Sequence, residues 1–125
     1  MDRKKVSVYV IAYNEESKIR ECLESVKWAD EIVFLDSHST DRTAAIAREY
    51  TGKIFQQKFE GFGKLRNTAL GLVTSEWVLS VDSDERVSPE LKDEILRKLA
   101  EGPDADAYLI PRKSHFLGRW IKHCG

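Results

Sequence analysis

The chain is short of the residues that would place it in several large classes. Cysteine occurs only twice in 125 residues, at Cys22 and Cys124, with no CxxC pair, which excludes a disulfide framework or a cysteine-built metal site. Three prolines and seven glycines are too few for a collagenous or low-complexity segment. No apolar run approaches the roughly 20 residues of a membrane-spanning helix. The charged start Met1-Asp2-Arg3-Lys4-Lys5 leads straight into a β-rich stretch, so no signal peptide is expected. Excess charge is missing too. Lys plus Arg number 20 against 21 Asp plus Glu, so bulk electrostatics point to no nucleic-acid partner. Two glycine-rich nucleotide fingerprints are also absent: G-x-x-x-x-G-K-[ST] does not occur, and Tyr13-Asn14-Glu15-Glu16 stands where a dehydrogenase would carry G-x-G-x-x-G. What is left is one domain able to bury a core, with a reduced core thiol at Cys22 and the cytoplasm as its expected compartment.

Strand-like and helix-like periodicities alternate along the chain. Val6–Ala12 is β-rich, and Ile19, Cys22, Leu23 and Val26 then recur at helical spacing, with Asn14 as the expected N-cap. Glu31–Leu35 reads as a second strand. Ala44, Ile46, Ala47 and Tyr50 suggest a second helix, capped by Ser39 or Thr40. A short strand at Lys53–Gln56 precedes a third helix from about Lys64 to Leu72, and Glu76–Val81 is a fourth strand. Ser88-Pro89-Glu90 is a strong helix start, and Leu91, Ile95 and Leu99 make its buried stripe. Gly102-Pro103-Asp104 breaks that helix before a fifth strand at Ala105–Ile110. The order predicts an α/β fold with a mostly parallel open sheet and helices on both faces.

Ligands of such sheets bind beyond the carboxyl ends of the strands, and polar residues gather there. Tyr13-Asn14-Glu15 follows strand one, Asp36 and Asp41 follow strand two, and Asp82-Ser83-Asp84 follows strand four. On an extended backbone Asp82 and Asp84 would point the same way and repel, unless a cation lies between them. Magnesium is commonly held by one or two carboxylates plus substrate phosphates. The alternative is a solvated acidic turn. Asp36 suits a ribose or base edge, or else a helix cap, and Tyr13 suits stacking on a flat base or covering a strand end. Gly61 and Gly63 with Lys64 and Arg66 at a helix start could cradle a diphosphate, although exposed cations are ordinary on helices. His38 lies in a rim loop; His115 and His123 read as surface residues, and the three have no metal-ligand spacing.

Taken in order, Val10-Ile11-Ala12-Tyr13-Asn14-Glu15, Asp36-Ser37-x-Ser39-Thr40-Asp41, Gly63-x-x-Arg66-Asn67 and Asp82-x-Asp84 resemble the family 2 glycosyltransferases of the GT-A, Rossmann-like fold. Three longer stretches resemble the bacterial branch that includes lipopolysaccharide-core glucosyltransferases: Leu23 through Val33, Glu60-Gly61-Phe62-Gly63, and Phe116-Leu117-Gly118-Arg119-Trp120. The resemblance implies that Ala12, Tyr13, Asn14, Glu15 and Asp36 hold the nucleoside of a nucleotide-diphosphate sugar, most simply a UDP-sugar. It places Lys64, Arg66 and Asn67 near the diphosphate, Asp82 and Ser83 at the ribose or a metal-bound water, and Asp84, with Asp82, on Mg2+ or Mn2+. It implies transfer to the hydroxyl of a glycan or glycolipid acceptor with inversion, at the inner face of the cell membrane for the full enzyme. Family members have a second half that supplies the general base and acceptor pocket. No base is identified in this chain, and the resemblance puts it beyond Gly125. Residues 1–125 are therefore expected to be the N-terminal, donor-binding half of a longer enzyme, self-associating through uncovered apolar surface.

Two other readings stay open. One is a non-catalytic nucleotide-sugar-binding module. The other is an aspartyl-phosphate phosphatase of the HAD type, whose D-x-D-x-[TV] doublet lies near the N-terminus; here the doublet follows strand four and Arg86 takes the Thr position.

Overall fold

The computed structural model describes residues 5–101, 107–113 and 116–122, with side chains described through residue 101. Its elements run β1 (Val6–Ala12), α1 (Ile19–Glu24), β2 (Glu31–Asp36), α2 (Thr43–Ala47), β3 (Ile54–Gln56), α3 (Phe62–Leu72), β4 (Trp77–Asp82), α4 (Pro89–Glu101), β5 (Ala107–Lys113) and β6 (Phe116–Lys122). They form a six-stranded sheet in the order β3-β2-β1-β4-β6-β5. The β1–β2, β1–β4 and β2–β3 pairs are parallel, whereas β6 runs antiparallel to both β4 and β5. The α/β class and mostly parallel sheet expected from the sequence are therefore present. The expected fifth strand is present over Ala107–Lys113, its predicted first two residues lying outside the described ones, and β6, which the periodicity did not reveal, is inserted between it and β4.

Alternation along the strands sorts the apolar residues onto two faces. Val6, Val8, Val10 and Ala12 of β1 pack with Ile32, Phe34, Trp77, Leu79 and Val81 against residues of α1, α2 and α4. On the other face Tyr9, Val33, Leu35 and Val78 meet Leu65, Ala69 and Val73 of α3 and its end. Helices thus cover both faces, three on one and one on the other. Phe34, Ile19, Leu23 and Leu79 are fully buried, and each such side chain contributes about 1.5–3 kcal/mol by leaving water. Among the described residues no helix is long and apolar enough to cross a membrane.

Local capping differs from expectation in two places. Asn14 does not cap α1; it sits at φ +50° and accepts a hydrogen bond from the Thr40 amide at 2.8 Å. The α1 entrance is instead organised by the Glu15 carbonyl, which accepts from the amides of Lys18 and Ile19 at 3.0 and 2.8 Å. Ser39 and Thr40 do not cap α2 either. Asp41 takes the Thr43 amide at 2.9 Å, and the Ser39 hydroxyl is drawn to Asp36. The α4 start is as expected, with Ser88 Oγ accepting from the Leu91 amide at 3.1 Å. The expected helix break at Gly102-Pro103-Asp104 lies outside the described residues, as do His115, His123, Cys124 and Gly125. The general base expected beyond Gly125 likewise lies outside the described residues.

Candidate functional site

The parallel registers bring the carboxyl ends of the strands level. Asp36 stands opposite Ala12, Gln56 opposite Asp36, and Asp82 opposite Ile11. Hydrogen bonds then tie the loops after β1 and β2 together. The Ser37 amide donates to the Ala12 carbonyl at 2.9 Å, the Asn14 amide to Ser39 Oγ at 2.8 Å, and the Glu15 amide to Thr43 Oγ1 at 2.9 Å. Glu16 adds its amide to Asp41 at 3.2 Å. These Ser, Thr, Asn and Asp side chains satisfy backbone groups that neither helix nor sheet uses. Burial acts to raise the Asp41 carboxyl, but the bonds from Thr43 and Glu16 outweigh it, and its pKa falls below the usual value.

Within this frame the predicted nucleoside residues divide. Tyr13 is 60 % exposed, an uncovered aromatic ring on the rim. Ala12 is buried and offers the crevice no side chain. Asp36 is also fully buried: one oxygen accepts from the Ser39 amide at 2.9 Å, the other from the Ser39 hydroxyl at 2.6 Å. That is the capping alternative in another form, since a buried carboxylate takes the nearest donors on its own turn. His38 is exposed at φ +57°, its amide held by Gln56 at 3.1 Å.

The fourth strand supplies the acidic turn. The backbone stays extended only through Asp82, and Ser83-Asp84 already form a turn, so the expectation of one extended segment carrying both acids is corrected. The cause is Glu85. Its carboxylate accepts from the Asp82 amide at 2.9 Å while its own amide donates to the Asp82 carbonyl at 2.9 Å, a reciprocal i, i+3 closure. Cys22 Sγ donates to the same carbonyl at 3.5 Å. Burial pushes this thiol up, reinforced by the carboxylates of Glu85, Asp82, Asp84 and Glu15, so it stays a neutral core thiol as predicted. Ser83 is buried and donates to Glu15 Oε2 at 3.2 Å. Asp82 and Asp84 are exposed. Beside Asp84 lies a cavity of about 210 Å³ lined by Lys18, Glu21, Asp84, Glu85 and Arg86, with Arg86 paired to Glu21 at 2.8 Å. The roles of Glu85 and Cys22 at this turn were not foreseen; the i, i+3 spacing of Asp82 and Glu85 was the available signal.

Lys64, Arg66 and Asn67 are exposed on the first turns of α3, the helix of the opposite face, and Lys64 pairs with Glu60 at 3.2 Å. Gly61 precedes them at φ +105°, a conformation that glycine adopts without strain. Nearby, Phe59 and Phe62 form an exposed edge-to-face pair 5.1 Å apart.

The residues present suit a hard divalent cation only in part. Among the described residues no group of three or more His, Cys, Asp or Glu could hold a metal unaided. Asp82 and Asp84 offer two exposed carboxylates, the protein share of a cation that takes its remaining oxygens from a phosphorylated ligand.

In an open α/β sheet ligands bind beyond the carboxyl ends of the strands, and here that rim carries exposed acids. Comparison with known proteins narrows the class. Residues 7–123 match Glycosyl transferase family 2, and the chain belongs to that family. It is 28 % identical over 118 residues to the lipopolysaccharide core biosynthesis glycosyltransferase LpsC of Rhizobium meliloti, covering 90 % of this chain and 44 % of LpsC. Among solved structures, the mannosyltransferase PcManGT of Pyrobaculum calidifontis, in complex with GDP-Man and Mn2+, superposes with a TM-score of 0.76 at 24 % identity, covering 98 % of this chain and 45 % of that one. TarS 1-349 of S. aureus, in complex with UDP, superposes with a TM-score of 0.68 at 35 % identity over 87 % of this chain and 36 % of that one. The chain spans about a third of the length of the rickettsial glycosyltransferases it matches at 38 % identity, 32 % in three of them and 33 % in a fourth.

Proposed function

We propose that this chain binds a nucleotide-diphosphate sugar, a UDP-sugar, on the carboxyl rim of its sheet, with Mg2+ or Mn2+ held at Asp84 and Asp82. The observation that carries the reading is the levelling of the strand ends, which sets the exposed Asp82–Asp84 turn beside the loops that follow β1 and β2. Membership of a glycosyltransferase family, and the UDP held by TarS, support it. The chain would act as the donor-binding half of an inverting transferase. Its match to 32–45 % of the length of several relatives supports that division. The general base for the acceptor hydroxyl is assigned to no residue of this chain; in this reading it belongs to the acceptor-binding half, beyond Gly125.

In this reading the exposed Tyr13 ring stacks on the base, and the Asn14–Ser39 and Glu15–Thr43 bonds hold its loop still. Asp36 works one step back by fixing Ser39. Lys64 and Arg66, with the amides that open α3, offer positive charge to the diphosphate, and Asn67 follows on the same helix. A bound divalent cation supplies charge neutralisation to the departing nucleotide. Asp82 and Asp84 are the side chains that hold it. The acceptor would be a glycan or glycolipid hydroxyl in cell-envelope polysaccharide or lipopolysaccharide synthesis, used at the cytoplasmic face of the membrane; the likeness to LpsC supports that setting.

Isothermal titration of UDP and GDP, each with and without Mn2+, tests the reading. The expected result is Mn2+-dependent binding of UDP, tighter than of GDP. Failure of both nucleotides to bind with the metal present would refute it.

A further inference from the structure

We propose that Glu15 is a positioning residue that joins the nucleoside-side loops to the cation-binding turn through Ser83. The inference rests on the donor-site reading above and deepens it. Glu15 bonds in three directions at once. Its amide donates to Thr43 Oγ1, a fully buried hydroxyl, at 2.9 Å. Its carbonyl organises the entrance of α1 through the amides of Lys18 and Ile19. Its carboxylate accepts from Ser83 Oγ at 3.2 Å, across 68 residues of sequence.

Ser83 lies between the two acids of the turn, and only 7 % of it is exposed. Holding its hydroxyl fixes the orientation of the peptide groups that carry Asp82 and Asp84. Like charges two residues apart repel, so an untied turn would relax by splaying them. Glu85 ties the turn from the segment just after it and Glu15 ties it from the neighbouring loop. The Glu15 carboxylate therefore faces the protein, and its contribution to ligand binding passes through Ser83. Outer residues that orient metal ligands commonly matter almost as much as the ligands themselves.

The test is titration of UDP into the chain with and without Mn2+, with thermal unfolding as the check on folding. Glu15→Ala and Ser83→Ala should each weaken the Mn2+-dependent binding of UDP roughly 10-fold. The double variant should fall no further, because both substitutions break the same link. Glu15→Gln keeps an acceptor for the Ser83 hydroxyl and should stay within about threefold of the unmodified chain. Binding of UDP without metal should be the same in all of them. Additive losses, a Gln variant as weak as Ala, or an equal loss without metal would overturn the inference while leaving the donor site standing. Absence of Mn2+-dependent UDP binding in the unmodified chain would overturn the donor-site reading, and this inference with it.

Discussion

At the amino ends of the strands, the carboxylate of Glu31 is wrapped by its own protein. It accepts from the Ser7 hydroxyl at 2.6 Å, from the Thr74 amide at 2.8 Å and hydroxyl at 3.1 Å, and from the Lys53 ammonium, and its side chain is only 6 % exposed. Asp30 beside it accepts from the Val6 amide at 2.8 Å. At the carboxyl ends the acids divide into two sets. Asp36 and Glu85 are buried and hydrogen-bonded to backbone amides, while Asp82 and Asp84 remain exposed at the rim. A cavity of about 510 Å³ also opens at the amino ends, lined in part by Asp30, Glu31 and Lys53, so concavity by itself does not locate function. The distinguishing property is exposure. Glu31, Asp36 and Glu85 are turned inward onto donors of their own chain, whereas the carboxylates of Asp82 and Asp84 stand open to the rim.

Breaking the amino-end network should have the largest effect on stability. Glu31→Ala strips partners from the buried Ser7 hydroxyl and from the Thr74 amide, and should lower unfolding free energy by about 2–4 kcal/mol in urea titration. Asp36→Ala comes next, at about 1–3 kcal/mol, because it releases the Ser39 amide and hydroxyl that brace the first two rim loops. Partial burial acts to raise the Glu31 pKa, and the bonds from Lys53, Ser7 and Thr74 override it, so the group lies below its ordinary value of 4.5. A depressed carboxylate stabilises the fold above its unfolded pKa and loses that contribution as pH falls through the folded one. Urea midpoints should therefore drop with pH below about 4.5, and Glu31→Gln should flatten that dependence while lowering stability at neutral pH. The smallest effect on stability should come from Asp84→Ala, within about 0.5 kcal/mol, as for other exposed positions.

Much of this was legible in the sequence because it rests on short-range pattern. The β-rich run Val6–Ala12, the apolar run ending at Asp82 and the Ser88-Pro89 start all appear where their local chemistry puts them. The insertion of β6 was not legible. Phe116-Leu117-Gly118-Arg119-Trp120-Ile121-Lys122 mixes charge, glycine and apolar residues without a clean period, and its place depends on pairing with β4 about 40 residues earlier. At the site, clustering on one rim was readable, but the direction of each side chain was not. Asp36 was within reach of Ser39 and turned inward, and Glu15 found a partner in the turn after β4, far along the chain. Such competition between protein and ligand donors leaves no periodic trace.

The most direct test of the account is Mn2+ binding, followed by electron paramagnetic resonance in the presence of UDP, compared between the unmodified chain and Asp84→Ala alongside urea unfolding of both. The account predicts that the substitution weakens the UDP-dependent Mn2+ signal at least about 100-fold while the unfolding midpoint stays put. Retention of full Mn2+ binding by the variant, or a loss of binding matched by a collapse in stability, would contradict it.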